Sequence, residues 1–328
     1  MVTQLLIAAA QLAAGFVLLI WAADRLVAGS SALAQRFGIS PLVIGITIVG
    51  FGTSAPEMVV SGIASFEGNT SLAIGNALGS NIANIGLILG LTAIIYPLSI
   101  QRSTMRREFP ALLMVMAITA LMMANFAFSR LEGLVLLLCL AGLITFMVIY
   151  GRRHLSEDPQ LAHLAADLPA KMKLSTAIIW TLAGIVVLPV AAHILVTGAV
   201  SLATWAGVSE AVIGLTVVAL GTSLPELAAA AASALKKEDD LAIGNILGSN
   251  IFNLLGVLGI SAVIAPLAIE TDLVTRDLLA MFLITGLLAV LVWRRVGVGQ
   301  ITRVGGFVLL GFFVAYQAII IRSALFVH

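Results

Sequence analysis

Long apolar runs, broken at near-regular intervals by short polar stretches, dominate this chain of 328 residues. A membrane-spanning helix needs about 20 apolar residues, and ten segments meet that length: 4–27, 41–64, 72–97, 109–128, 131–150, 174–203, 211–235, 241–268, 274–293 and 304–327. The ninth is the weakest, because Arg294 and Arg295 cut it short. No lysine or arginine precedes Arg25, so the first run lacks the basic flank of a secretory leader and reads as a spanning helix. Composition agrees, with 61% hydrophobic and 10% charged residues, where soluble domains carry roughly 25% charged residues. An all-α integral membrane protein is expected. A net charge of +1, with no basic cluster interleaved with aromatics, gives no footing for nucleic acid. The one cysteine, Cys139, excludes an intrachain disulfide and reads as a small packing residue in its apolar run.

The polar interruptions repeat. Gly52-Thr53-Ser54-Ala55-Pro56-Glu57 returns as Gly221-Thr222-Ser223-Leu224-Pro225-Glu226, and Gly79-Ser80-Asn81-Ile82-Ala83-Asn84 returns as Gly248-Ser249-Asn250-Ile251-Phe252-Asn253, both at an offset of 169 residues. The same offset carries Gly45 onto Gly214, Gly75-Asn76 onto Gly244-Asn245, Gly90 onto Gly259 and Pro97 onto Pro266. The chain therefore divides into a first unit at 1–150, a linker at 151–173 rich in charge and carrying Pro159 and Pro169, and a second unit at 174–328. Each unit holds five expected helices. Five is odd, so the second copy enters the membrane with the opposite orientation, the inverted-repeat plan of secondary transporters. Fourteen of the seventeen lysines and arginines follow expected helices 1, 3, 5, 7 and 9, against Arg130, Arg276 and Arg322 on the other side. That bias places the linker in the cytoplasm and both termini outside.

Two carboxylates sit where apolar sequence alone would be expected. Glu57 and Glu226 fall in the middle of expected helices 2 and 7, where a charge costs several kcal/mol unless paired or hydrated. No lysine or arginine lies at that depth in any of the ten segments, so the counter-charge is expected from a bound cation. Pro56 and Pro225 lack an N–H and clash with the carbonyl four residues back, so both helices should break near Gly52 and Gly221 and free backbone oxygens. Thr53, Ser54, Thr222 and Ser223 place hydroxyls beside them. Broken backbone at this depth is tolerated only where protein or a water-filled cavity satisfies it. Ser80 with Asn84, and Ser249 with Asn253, share a helix face at i and i+4. Apart from the amide nitrogens every donor is an oxygen, a set suited to hard cations such as calcium and sodium. Gly75, Gly79, Gly86 and Gly90, with Gly244, Gly248, Gly256 and Gly259, read as small-residue packing positions.

The paired motifs resemble the two alpha repeats of the sodium/calcium exchanger branch of the cation/calcium exchanger superfamily, and the short linker makes the chain similar to its compact prokaryotic members. The resemblance implies a prokaryotic plasma-membrane location. It also implies calcium held by Glu57 and Glu226 with the backbone carbonyls of Thr53 and Thr222. Sodium would add the hydroxyls of Ser54, Ser80, Ser223 and Ser249 and the carbonyls of Gly50 and Ala219. One departure stands out: some relatives, including potassium-dependent exchangers, carry aspartate where this chain has Asn253. With Asn84 and Asn253 neutral, the glutamates alone give the site a formal charge of −2, which argues against potassium dependence. The Gly-Asn-Ala-x-Glu pattern of proton-coupled calcium exchangers is absent.

A sodium/calcium antiporter working by alternating access is the leading expectation, and a calcium/proton antiporter using the same two glutamates is the alternative. No cofactor is expected beyond the transported ions, the bilayer is the other partner, and a monomer should suffice for transport. An intramembrane enzyme is disfavoured, because there is no His-Glu-x-x-His motif and no serine paired with an intramembrane lysine. A continuous pore fits inverted repeats with broken helices less well than alternating access does. Asp24 with Arg25, Arg107 with Glu108 and Arg276 with Asp277 read as interfacial ion pairs, and Lys236 to Asp240 as a polar turn. His193 occupies the Asp24 position in the second unit, and a proton-coupling role is its lesser reading.

Overall fold

The computed structural model describes residues 2–154, 172–206, 221–293 and 299–326. In chain order the described elements are α1 (Val2–Phe37), α2 (Pro41–Thr53), α3 (Ala55–Phe66), α4 (Thr70–Ile95), β1 (Leu98–Ile100), α5 (Arg102–Arg106), α6 (Glu108–Met123), β2 (Ala127–Phe128), α7 (Arg130–His154), α8 (Leu174–Trp205), α9 (Leu224–Leu235), α10 (Asp239–Ile264), β3 (Leu267–Ala268), α11 (Leu273–Val292), β4 (Gly299–Ile301) and α12 (Arg303–Phe326). Seven of these helices are long and apolar enough to cross a membrane, and α2 with α3, bent by 45° between them, makes an eighth.

The differences from the expected spans have local causes. α6 has 16 residues, about 24 Å at 1.5 Å per residue, and residues 127–128 beyond it form β2 rather than helix. Residues 211–220 of the expected seventh span lie outside the described residues, and α9 supplies 12 of those that remain. α1 runs to Phe37, ten residues past the expected end, so Arg25 and Arg36 are helical rather than loop residues. A partner distant in sequence makes the charges inside α1 tolerable: Asp24 Oδ1 lies 2.7 Å from Lys236 Nζ. The expected partner Arg25 is 4.0 Å from Asp24, and its guanidinium instead sits over the Trp180 ring at 4.2 Å, a cation–π contact. Two antiparallel ribbons, β1 with β4 and β2 with β3, add short strands to the expected all-α fold and join the two units. Most of the linker expected at 151–173 falls outside the described residues, and α7 extends into its start as far as His154.

α4 and α10 form the centre. Their most apolar stretches are 72% and 89% buried, against 22% for α1 and 17% for α7. The outer helices present apolar side chains outward, among them Phe16, Leu138, Ile179 and Phe307, as a lipid-facing surface requires. Cys139 is exposed on α7 and does not pack inward as expected. Several of the described contacts respect the 169-residue offset. α1 and α8 run antiparallel, with Gly15 against Leu195 and its mate Gly184 against Leu26, and Gly29 against Thr181 and its mate Gly198 against Leu12. The C-terminal half of α4 packs on α12, and that of α10 packs on α7. Gly68 ends α3 at φ 79°, and its mate Lys237 ends α9 at φ 62°. Both ends close by the same bond, Asn69 N–H to Ala64 O at 2.8 Å and Glu238 N–H to Ser233 O at 2.9 Å.

The helix that carries the first motif is pressed directly onto α10. A Cβ on Gly244 would strike the Leu42 carbonyl oxygen, and one on Gly248 would lie 2.6 Å from Ile46 Cα. Gly79, the repeat mate of Gly248, has no atom of the described residues within 4 Å of such a Cβ. Gly248→Ala is therefore expected to destabilise the protein by about 1–3 kcal/mol, as overpacking against backbone does. Gly79→Ala should be neutral or stabilising, because alanine is the better helix former by about 1 kcal/mol. Thermal unfolding in detergent measures both, and equal losses would count against this packing asymmetry.

Candidate cation site

The break predicted from the prolines is present in both units. Ser54 lies between α2 and α3 at φ −83°, ψ 1°, and Ser223 precedes α9 at φ −88°, ψ 1°. Pro56 and Pro225 stand in the first turns of α3 and α9, so the carbonyls of Gly52 and Gly221 have no proline N–H to receive. In the same first turns, directly after the prolines, Glu57 and Glu226 are each 1% exposed. α4 and α10 carry π-helical turns at matching places, Asn84–Leu89 and Phe252–Val257. Such wide turns inside α-helices recur at functional sites because they redirect side chains.

Thr53, Ser54, Ser80, Asn84, Ser223, Ser249 and Asn253 are all buried, Gly50 is buried in α2 with its backbone on α10, and Thr222 is half-buried. Ala219 lies outside the described residues. Hydrogen bonds bring several of these together across the two units. Thr53 Oγ1 is 3.2 Å from Ser249 Oγ, and Ser54 Oγ donates to Glu226 Oε1 at 3.4 Å. The Gly50 carbonyl accepts from Ser54 N at 3.0 Å, and Thr53 Oγ1 lies 3.4 Å from it. His193 is exposed on α8, apart from this set.

Three further amides belong to the site, and the sequence reading passed over them. Asn76 and Asn245 donate to the backbone carbonyls of Glu57 and Glu226, each at 3.3 Å. Thr53 Oγ1 donates to Asn245 Oδ1 at 3.1 Å, and Asn84 Nδ2 donates to Asn250 Oδ1 at 3.0 Å. Their signal was present, since Gly75-Asn76 and Gly244-Asn245 obey the offset, but it was absorbed into glycine packing.

The remaining valence of the site is oxygen. Glu57 Oε1 and Oε2, Glu226 Oε2, Asn84 Oδ1 and both polar side-chain atoms of Asn253 are buried with no hydrogen-bond partner among the described residues. Each orphaned buried group costs about 1–3 kcal/mol, and an unpaired carboxylate costs more. No group of three or more His, Cys, Asp or Glu side chains gathers among the described residues, so a cation placed here would meet no more than two carboxylates, with neutral oxygens beside them. That arrangement suits an ion that must leave again.

The model of the sodium/calcium exchanger protein family matches residues 7–149 and 176–322, two blocks whose starts are one repeat offset apart. The chain belongs to the sodium/calcium exchanger family. It is an integral membrane antiporter of the cation/calcium exchanger type and not an enzyme, and the cations are its cargo. It is 43% identical to the putative antiporter CaxA of Alkalimonas amylolytica over 309 residues, 94% of this chain and 97% of that protein. It is 30% identical to the sodium/calcium exchanger MaX1 of Methanosarcina acetivorans, covering 93% of this chain and 96% of that one. A solved structure of the sodium-calcium exchanger NCX_Mj, from a crystal soaked with zero Na+ and Ca2+, superposes with a TM-score of 0.82 at 29% identity, covering 96% and 99% of the two chains.

Proposed function

We propose that this exchanger moves sodium against calcium by alternating access, without potassium and with net movement of charge. The observation that carries this reading is the pair of glutamates, buried at equivalent helix breaks, with three carboxylate oxygens unpartnered among the described residues. Calcium takes 6–8 oxygen ligands. In this reading Glu57 and Glu226 bind it with the backbone carbonyls of Thr53 and Thr222. The hydroxyls of Ser54, Ser80, Ser223 and Ser249 and the carbonyls of Gly50 and Ala219 serve sodium, while Asn84 and Asn253 complete the centre without charge. The architecture is ten spanning helices in two inverted sets of five, with the first unit at 1–150, the linker at 151–173 and the second unit at 174–328. The linker faces the cytoplasm, both termini lie outside, and one protomer suffices.

The test is calcium-45 uptake into proteoliposomes under an imposed sodium, proton or potassium gradient. Sodium-driven uptake is the expected result. Uptake driven by protons alone would establish calcium/proton exchange on the same glutamates. Because Asn253 adds no charge for a further cation, replacing choline by potassium at clamped voltage should leave the rate unchanged; a severalfold stimulation would overturn potassium independence.

A further inference from the structure

Asn76 and Asn245 stand at equivalent places on the two most buried helices, and each donates to the carbonyl of the glutamate 19 residues before it, at 3.3 Å in both units. That carbonyl lies in the first turn after the break, where the chain would otherwise pivot about Ser54 or Ser223. An amide from α4 or α10 pins it to a helix that does not break there. Asn245 does more. It is fully buried, and its Oδ1 also accepts from Thr53 of the other unit at 3.1 Å. One carboxamide thus holds the end of α2 and the start of α9 in a common register, and Asn76 adds a bond to Ser61 Oγ at 2.9 Å within its own unit.

We propose that Asn245 is a positioning residue for the divalent ion: it sets the Thr53 backbone and the Glu226 carboxylate, one from each unit, at the separation calcium requires. The inference rests on the proposed site only in naming the ion. Calcium needs ligands from both units at once. Sodium sites that draw on individual hydroxyls depend less on that register. Asn245→Ala removes both hydrogen bonds. Thr53→Val removes the shared one from the opposite side and leaves the Thr53 carbonyl in place, but it also removes the Thr53 contacts to Ser249 Oγ and the Gly50 carbonyl, so sodium is compared in Asn245→Ala alone. Calcium affinity, read by titration calorimetry of the whole purified protein with CaCl2, should fall about tenfold in either variant, the size of one hydrogen bond's loss. In Asn245→Ala the sodium concentration that displaces calcium should fall in step with the weaker calcium affinity, and sodium affinity measured alone should stay within about twofold. The double variant should be little worse than the weaker single one, as residues acting through one contact are. Equal losses of both ions' affinities, or losses that multiply in the double variant, would overturn the proposal. A parent protein that binds no calcium would instead count against the proposed function and not against Asn245.

A second inference comes from how α1 and α8 sit on the rest of the protein. Between themselves they obey the two-fold relation of the offset, but their seating does not. α1 packs along α9, whereas α8 has no comparable packing with α3. Both glycines at the breaks, Gly52 and Gly221, lie against α8, at Ile185 and Val196. A symmetric seating would put Phe16 of α1 on Gly221 and Val27 of α1 on Gly52. The polar contacts share this asymmetry. Asp24 holds Lys236 at 2.7 Å through its carboxylate and at 2.9 Å through its backbone carbonyl. The offset carries Asp24 onto His193 and Lys236 onto Glu67, which make no ion pair with each other in this structure.

We infer that Asp24–Lys236 and Glu67–His193 are alternative contacts, each closed in one of two seatings of the α1–α8 pair, so that one forms as the other breaks. The imidazole always keeps one N–H to offer a carboxylate. This rests on alternating access as proposed above. In full-length protein carrying Cys139→Ala, the double variants Asp24→Cys with Lys236→Cys and Glu67→Cys with His193→Cys report the two contacts by oxidative cross-linking. Both pairs should cross-link, and exchanging CaCl2 for NaCl should move their yields in opposite directions by severalfold. A Glu67/His193 pair that never cross-links, or two yields that move together, would overturn the inference. Calcium flux by the Cys139→Ala protein, measured separately, shows whether transport itself stands.

Discussion

Glu57→Gln and Glu226→Gln are each expected to lower calcium exchange by a hundredfold or more while leaving the protein folded. In the proposed site each substitution removes one of the two formal charges facing a divalent ion, and no other carboxylate is on hand to replace it among the buried polar residues around them. Breaking one side of a buried charge pair costs about 2–5 kcal/mol, which at 1.4 kcal/mol per tenfold is a hundredfold at the lower-middle of that range. Folding should survive because glutamine keeps the shape of glutamate and relieves the cost of an unpaired buried carboxylate when the site holds no ion. The discriminating measurement is the calcium-dependent rise in unfolding temperature, which follows from binding to the folded state alone. The parent should show it, and both variants should lose it with little change in the calcium-free value. A variant that kept the calcium-dependent rise and exchanged at near the parent rate would place the ion elsewhere.

The second large effect is on voltage. Glu57 and Glu226 supply −2, and Asn84 and Asn253 supply none, so a calcium-loaded site is neutral. In the proposed electrogenic exchange three sodium ions replace one calcium and leave the site at +1, so that one positive charge moves with the sodium. An elementary charge crossing the whole membrane is worth about 2.3 kcal/mol per 100 mV, about fortyfold in an equilibrium ratio. A negative interior should therefore draw sodium in and drive calcium out. Imposing a potassium diffusion potential with valinomycin on proteoliposomes should change sodium-driven calcium flux with that sign. Flux indifferent to voltage would mean two sodium ions per calcium, and the neutral Asn84 and Asn253 would be the first cause to examine.

Several parts of this site can be read from the linear sequence. A carboxylate in a 20-residue apolar run needs a partner wherever the helix is placed, and its return 169 residues later with the same proline and hydroxyls identifies a duplicated site. The helix breaks follow from proline's missing N–H, a local property, and they recur with nearly the same backbone angles at Ser54 and Ser223. Family membership follows from those motifs for the same reason.

Helix limits were less legible, because hydropathy prices each charge as though it stood alone. The first expected span stops at residue 27, just past Asp24 and Arg25, yet Asp24 has a partner in Lys236, 212 residues away, and α1 continues to Phe37. α6 shows the opposite case: apart from Asn125 the sequence stays apolar to residue 128, but β2 pairs with β3 and takes the chain out of the helix. The asparagines are a third case. The offset marks Asn245 as the repeat mate of Asn76, but nothing in the order of residues shows that it joins Thr53 to Glu226.

The amino-acid sequence by itself determined the membrane class, the duplication, the two broken helices and the hard-cation character of the buried polar set, because each depends on residue type and spacing along one strand of chain. Only the tertiary structure decided which atoms meet: Thr53 with Ser249 and Asn245, Ser54 with Glu226, Asn84 with Asn250, and Asp24 with Lys236. These contacts join residues more than 160 positions apart. They depend on how closely α2 approaches α10 across Gly244 and Gly248, and on the unequal seating of α1 and α8. A duplicated sequence treats its two halves alike. Packing does not have to, and the asymmetry that separates Glu226, held by Ser54, from Glu57, with neither oxygen bonded among the described residues, exists only in three dimensions.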